Sequence, residues 1–278
     1  MEISAALVKE LRDETNVGMM ECKKALIEAS GDKEKAVKIL RERGLAIAGK
    51  KASRLAKEGV VAAEIVGGGK TGVMIEVNCE TDFVTRNDSF KELVKQLLET
   101  AKGIHGSLAE AAKDMVVAKI ASIGENIIVR RNVRYDVPGE GIVASYIHLG
   151  GKVGVLVEVG CGQAATAANP AFKEVVKDIT LHIAACNPHY LVRQDVPEPV
   201  LASEKEIYAK QVTGKPANIV EKIVVGKLEK FYSQVCLVEQ GFVKDPEQTI
   251  TELLVAKGKE LGDQLAIRRF TRFQVGVE

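Results

Sequence analysis

Apolar residues recur at helical spacing over roughly the first fifty positions, and then the period changes. Ile3, Leu7, Val8 and Leu11 share one helical face, Gly18 interrupts the pattern, and Met19 to Ala29 resumes it. Gly31-Asp32 opens a third helix through Val37 and Leu40. Lys50-Lys51-Ala52-Ser53-Arg54 then reads as an exposed tether that lets the bundle reposition. Residues 59–66 and 71–79 are Val-rich and β-branched around Gly67-Gly68-Gly69, the pattern of a hairpin. Phe90, Leu93, Val94, Leu97 and Leu98 return to helical spacing, with an N-cap within Asn87 to Ser89 and Glu92 as a capping-box partner. A second helix is predicted over 108–122. A strand over 126–137 alternates Ile127, Val129, Arg131 and Val133 before Pro138-Gly139 stops it.

The unit then repeats. GVVAAEIVGGGKTGVMIEVNC from Gly59 aligns without a gap on GIVASYIHLGGKVGVLVEVGC from Gly141, an offset of 82. SFKELVK from Ser89 matches AFKEVVK from Ala171 in the same frame. GENIIVRRNVRYDV from Gly124 resembles GDQLAIRRFTRFQV from Gly262, now at an offset of 138, and Val117-Ala118-Lys119 pairs with Val255-Ala256-Lys257 at that offset. The change from 82 to 138 places 56 additional residues in the second copy, between a helix ending near Cys186 and a segment starting near Asp245. This insertion, about 188–243, contains two helical stretches separated by Thr213-Gly214-Lys215-Pro216. Ile207, Val212, Ile219, Ile223 and Leu228 suit an antiparallel, coiled-coil-like pair. Whether that hairpin forms a homodimer surface or a plain protrusion is left open by its sequence.

Each unit thus runs strand, strand, helix, helix, strand, and antiparallel strands with helices on one face make an α+β module. At the N-terminus, the spacing of Met20, Cys22, Ala25, Leu26, Gly31-Asp32 and Ala36 resembles the small ubiquitin-associated three-helix fold. The predicted architecture is a ubiquitin-associated-like bundle with its tether (1–54), a first core subdomain (55–140) and a second (141–278) carrying the helical hairpin.

Composition narrows the partner. A chain of 278 residues with 46% hydrophobic and 28% charged residues builds cores rather than remaining disordered. Basic and acidic residues nearly cancel, 39 against 38, without the excess that neutralises phosphates, so a protein partner or small ligand is favoured over nucleic acid. No apolar run approaches the ~20 residues that span a bilayer. Helical sequence begins almost at Met1 with no signal or transit peptide, which points to a soluble cytoplasmic protein. Cys22, Cys79, Cys161, Cys186 and Cys236 match no zinc, haem or CxxC spacing and read as apolar fillers in a reducing compartment. His105, His148, His182 and His189 show no metal spacing, so neither metal nor cofactor is expected.

The sharpest local feature is Asn78-Cys79-Glu80-Thr81-Asp82-Phe83-Val84, whose counterpart in the second copy is Gly160-Cys161-Gly162-Gln163-Ala164-Ala165-Thr166. The scaffold on both sides is retained while this tip is rewritten, as expected when function sits on a loop. The bland alternative makes Phe83 a core anchor and Asp82 a helix cap. Gly68-Gly69-Lys70-Thr71 is not a P-loop, because Glu64 occupies the required first glycine and strand rather than helix follows. A hydrolase with Cys79 as nucleophile is disfavoured, since Glu80 and Asp82 beside it oppose a thiolate. Met19-Met20 reads as core or as an adaptable partner surface.

LVKELRDETNVGMMECKKAL with GDKEKAVKILRERG, EVNCETDFV and KIASIGENIIVRR together resemble the elongation factor Ts family, over essentially the entire chain and in the family's order. The resemblance implies a non-enzymatic exchange factor for the GTPase elongation factor Tu. It implies that Thr81, Asp82, Phe83 and Val84 disturb the partner's Mg²⁺ site, Phe83 wedging between partner side chains. Met19, Met20, Lys23 and Ile123 would hold the partner's G domain, with His148 and Val243 contributing from the second half. One departure is Gly241, where the family usually has proline. The competing reading is a non-catalytic adaptor that uses the N-terminal bundle as its main binding module.

Overall fold

The protein is described by a computed structural model covering residues 3–15, 17–212 and 215–277. Helices α1 (Ala5–Thr15), α2 (Met19–Glu28) and α3 (Lys33–Lys51) form the N-terminal bundle around Val8, Leu11, Cys22, Ala25, Leu26, Ala36 and Leu40. Asp32 caps α3 by accepting the Lys35 N–H at 3.0 Å.

The first copy contains β1 (Glu58–Val66), β2 (Thr71–Cys79), α4 (Asp82–Arg86), α5 (Asp88–Gly103), α6 (Leu108–Ala111), α7 (Lys113–Ile123) and β3 (Ile127–Asp136). The second contains β4 (Gly141–His148), β5 (Val153–Gly160), α8 (Ala164–Ala168) and α9 (Pro170–Cys186). It continues through α10 (Glu198–Gln211), α11 (Ala217–Val235), β6 (Gly241–Phe242), β7 (Asp245–Thr249), α12 (Ile250–Leu261) and β8 (Ala266–Gln274). Two three-stranded antiparallel sheets result, ordered β1-β2-β3 and β4-β5-β8, with β6-β7 a separate two-stranded pair, and a mixed helix-and-sheet protein is what the α+β reading anticipates. Each sheet carries a register shift at the same place, after Glu76 and Glu158.

The sheets pack face to face through Val61, Met74, Tyr135, Val143, Leu156 and Phe273, while their outer faces bury separate cores under the helices. The contact obeys the repeat. A Cβ on Gly72 would lie 2.6 Å from Val143 Cγ1, and one on Gly154 would lie 2.3 Å from Val61 Cγ1. Glu76 and Glu158, both buried, accept from Arg131 Nε at 2.6 Å and Arg269 Nε at 2.7 Å. Each guanidinium crosses to the opposite sheet's ring, Arg131 over Phe273 at 4.3 Å and Arg269 over Tyr135 at 4.1 Å. Gly154→Ala, which adds one carbon where the sheets meet, is expected to destabilise by about 1–3 kcal/mol through overpacking. Chemical denaturation of the variant checks this.

Several local expectations need correcting. Lys50 and Lys51 do not open a tether: they end α3, and Lys51 Nζ donates to Gly124 O. Helix α3 lies on α7, with Gly44 against Val117 and Ala121, and Arg41 pairs with Asp114 at 2.6 Å. The predicted helix over 108–122 is broken at Ala112 into α6 and α7. The cap of α5 is Asn87, which accepts the Ser89 N–H at 2.8 Å, so Glu92 falls outside the capping-box position and bonds Gln96 instead. In the inserted hairpin only Leu228 of the five expected seam residues is buried, and Ile207 and Ile219 face solvent. Pro216 caps α11, whereas Thr213 and Gly214 of the predicted turn lie outside the described residues.

Candidate functional site

Strand β2 ends on Cys79, and the next residues are fixed from both sides. Gly124, at φ 84°, closes α7 in a left-handed conformation that favours glycine and delivers Glu125 to the end of β2. The Glu125 carboxylate accepts the Glu80 N–H at 3.1 Å, the Thr81 N–H at 3.0 Å and the Thr81 hydroxyl at 2.7 Å. Glu80 returns the contact: its Oε1 accepts the Asn126 N–H at 2.7 Å, which holds this carboxyl below the usual carboxylate range, and Arg54 lies 3.4 Å away. Buried Asn126 in turn donates to Arg54 O at 2.8 Å.

On this frame sits the single turn of α4. Its cap position, Thr81, makes no cap bond because its hydroxyl is committed to Glu125. Asp82 occupies the first turn and pairs with Arg86 at 3.1 Å, an exposed contact of little stabilising weight. Adjacent residues on one turn point in different directions. Val84 enters the core, whereas Phe83 is 77% exposed. The bland alternative therefore fails on both counts: among the described residues Phe83 belongs to no core cluster, and Asp82 is not the cap. Cys79 is fully buried, and burial aided by Glu125 pushes its thiol up to about 12, which opposes the exposed thiolate that the hydrolase reading requires.

The second copy supplies an internal comparison. Gly262, at φ 64°, closes α12 and delivers Asp263, which accepts from Gly162 N at 2.9 Å and Gln163 N at 3.0 Å. The Thr166 hydroxyl, followed by the backbone N–H groups of Gln264, Gly162 and Gln163, holds Asp263 below the usual carboxylate range. Helix α8 then repeats α4, with its flanking residues Gln163 and Asn169 in the same backbone regions as Thr81 and Asn87. Thr166 is buried where Val84 is buried. Ala164 and Ala165 stand where Asp82 and Phe83 project. The backbone course and the anchoring carboxylate after a glycine are thus common to both copies, whereas Glu80 to Val84 are replaced by Gly162, Gln163, Ala164, Ala165 and Thr166. Glu125 was missed by sequence reading, although its alignment with Asp263 after a glycine marks it.

The remaining candidates occupy other surfaces. Met19 and Met20 are 45% and 63% exposed on the first turn of α2, beside exposed Lys23. Ile123 is half-buried against the core that holds Val84, immediately before Gly124-Glu125. His148 is exposed at the end of β4, where its Nδ1 meets the Tyr146 hydroxyl at 2.9 Å. Val243 is exposed between β6 and β7, and no hydrogen bond among the described residues joins it or His148 to the 80–86 turn. Gly241 packs beside Pro246, whose carbonyl oxygen would lie 2.7 Å from a Cβ.

Val243 is held from below. Its N–H donates to Nδ1 of fully buried His182 at 3.1 Å, so Nε2 carries the ring proton and donates to Gln240 Oε1 at 2.9 Å. Burial holds His182 below its ordinary value of 6.5. The contribution of this neutral ring is full above the unfolded value and declines as pH falls from about 6.5 towards the folded value. The melting temperature is therefore expected to fall more steeply between about pH 7 and pH 5 in the native chain than in His182→Gln.

Fold and site together define a duplicated α+β scaffold that projects one aromatic–acid pair from a hydrogen-bonded turn, and no described helix is long and apolar enough to cross a membrane. The Elongation factor TS family profile matches residues 80–277. Elongation factor Ts of Trichlorobacter lovleyi is 45% identical over 99% of this chain and 93% of its own length. The protein of that name from Nitratidesulfovibrio vulgaris is 45% identical over 99% and 96%. In Clostridium botulinum the corresponding figures are 45%, 99% and 93%. The chain belongs to the elongation factor Ts family and is a translation elongation factor.

Proposed function

We propose that this chain binds the GDP-bound form of elongation factor Tu and promotes GDP release by disturbing its Mg²⁺ and phosphate site, so that GTP can rebind. The observation that carries the reading is Phe83, held outward by a hydrogen-bonded frame whose duplicate carries alanine there. An exposed phenylalanine forfeits about 1.5–3 kcal/mol that burial supplies, so its own fold gives no reason for it. A partner pocket does.

Mg²⁺ demands near-octahedral oxygen ligation and bridges nucleotide to protein, so small displacements of its ligands weaken both. In this reading Thr81 fixes the turn, Phe83 wedges between partner side chains, Asp82 repels or re-pairs neighbouring groups, and Val84 anchors the wedge. Met19, Met20 and Lys23 grip the G domain with Ile123 beneath the turn, and His148 and Val243 supply contacts from the second copy. No bond is made or broken in this chain, and the metal is the partner's.

The test is release of fluorescently labelled GDP from purified elongation factor Tu, with and without the chain. Acceleration that requires only catalytic amounts supports the proposal. Binding without acceleration would replace it with the adaptor reading, in which the exposed methionines of α2 are the main contact.

A further inference from the structure

The last strand of each copy carries an arginine at equivalent positions, Arg134 and Arg272, and the two have different surroundings. Arg134 is fully paired: Nε donates to Asp136 Oδ2 at 2.7 Å, Nη2 to Oδ1 at 2.9 Å, and Nη1 to Lys102 O. In the second copy Gln274 stands in the place of Asp136, and Ala184 in that of Lys102. Arg272 Nη1 meets Gln274 Oε1 at 3.0 Å, and Nη2 reaches Ala184 O only at 3.5 Å. Its Nε is shut off from solvent with no acceptor. Among the described residues this guanidinium has only neutral partners.

That side chain lines an open cleft of about 600 Å³ between β8 and the base of the inserted hairpin, with Asn187, His189 and Tyr190. Two other arginines on the same wall are already committed. Arg268 meets Glu158 at 3.1 Å and Arg269 meets it at 2.7 Å, and both also donate to backbone carbonyls. Asp195, the acid of the wall, accepts the Val192 N–H at 3.2 Å. Burial pulls the proton affinity of Arg272 down, yet a guanidinium does not become neutral in a protein, so an unmatched charge faces the cleft.

We propose that this cleft binds a carboxylate from outside the copy, which displaces the Gln274 amide from Arg272 Nη1 and gives this guanidinium the charged partner that Asp136 gives Arg134. A carboxylate matches the planar fork in two parallel hydrogen bonds, as the first copy demonstrates. A phosphate dianion would favour a second unpaired cation, and among the described residues Arg272 is the one guanidinium of the cleft not already paired with a carboxylate. The carboxylate comes either from a small metabolite or from an Asp or Glu side chain of a protein bound to this face. The inference does not depend on the exchange reading.

The experiment follows the Arg272 Nε–H resonance in ¹⁵N-labelled full-length chain, assigned with Arg272→Lys, during titration with sodium acetate at constant ionic strength. A saturable shift is expected in the native chain. Gln274→Glu supplies its own carboxylate, so its Tm should rise and the acetate response should disappear. No saturable shift in the native chain, or an equal shift in Gln274→Glu, overturns the proposal. Unlabelled elongation factor Tu provides the second arm. A shift of the same resonance by that protein, lost in Gln274→Glu while binding persists, assigns the carboxylate to a partner side chain. An acetate response with no such shift assigns it to a small molecule.

Discussion

Phe83→Ala will leave the chain folded and slow its stimulation of GDP release by roughly ten- to a hundredfold. The magnitude follows from burial. Sealing a phenylalanine into a partner contributes about 1.5–3 kcal/mol, and each 1.4 kcal/mol is a factor of ten. That contribution accelerates release only if it is realised in the nucleotide-free complex more than in the GDP-bound one. Linkage then requires that GDP loosen the factor by the same ratio by which the factor loosens GDP. Phe83→Ala should therefore weaken binding to nucleotide-free elongation factor Tu more than binding to the GDP form. Asp82→Ala should act in the same direction. Among the described residues its side chain pairs only with exposed Arg86, so stability should again be unmoved. Val84→Ala is the contrasting variant, because Val84 is buried: it should lose about 1–3 kcal/mol of stability. Stopped flow with labelled GDP, paired with thermal melts, separates these outcomes. An unchanged release rate with Phe83→Ala would remove the wedge from the mechanism.

The duplication was legible because packing constrains both copies alike. Gly72 and Gly154 recur because each meets a valine of the opposite sheet, Val143 or Val61. Glu76 and Glu158 recur because each receives an arginine that also covers an aromatic ring across the interface. The outward direction of Phe83 was legible for the complementary reason: its loss from the second copy, which still needs a core, argued that no core depends on it. Other features carry weaker local signals. Docking of α3 on α7 uses Gly44, and a lone glycine within a helical pattern gives no sign that it marks a close crossing. The hairpin misled because apolar residues at helical spacing normally indicate a buried seam, whereas Ile207 and Ile219 remain exposed. Cap positions near Asn87 depend on backbone angles that several neighbouring polar residues can satisfy.

Glu125→Ala and Asp263→Ala remove equivalent carboxylates from the two copies, and their consequences should differ. Each variant leaves backbone N–H groups without their charged acceptor, Glu80 and Thr81 in one case and Gly162 and Gln163 in the other. Hydrogen bonds to a charged group contribute about 1.5–3 kcal/mol when shielded from water, so Glu125→Ala should lose on the order of 2–4 kcal/mol of stability, and solvent-screened Asp263→Ala should lose less. The loss should be the larger for Glu125 because its contacts are half-buried where those of Asp263 are exposed. Exchange separates them more sharply. Glu125 fixes the turn that projects Phe83, so Glu125→Ala should slow GDP release about as much as Phe83→Ala, without any contact of its own with the partner. Asp263 fixes a turn that projects two alanines, so Asp263→Ala should leave release nearly unchanged under conditions where the chain stays folded. Equal slowing by both variants would mean that exchange follows general stability rather than the geometry of one turn. Slowing by neither would mean that Phe83 reaches its pocket without a fixed frame. A selective loss with Glu125→Ala makes the carboxylate a positioning residue, and preorganisation of the aromatic ring becomes what distinguishes the first copy from the second.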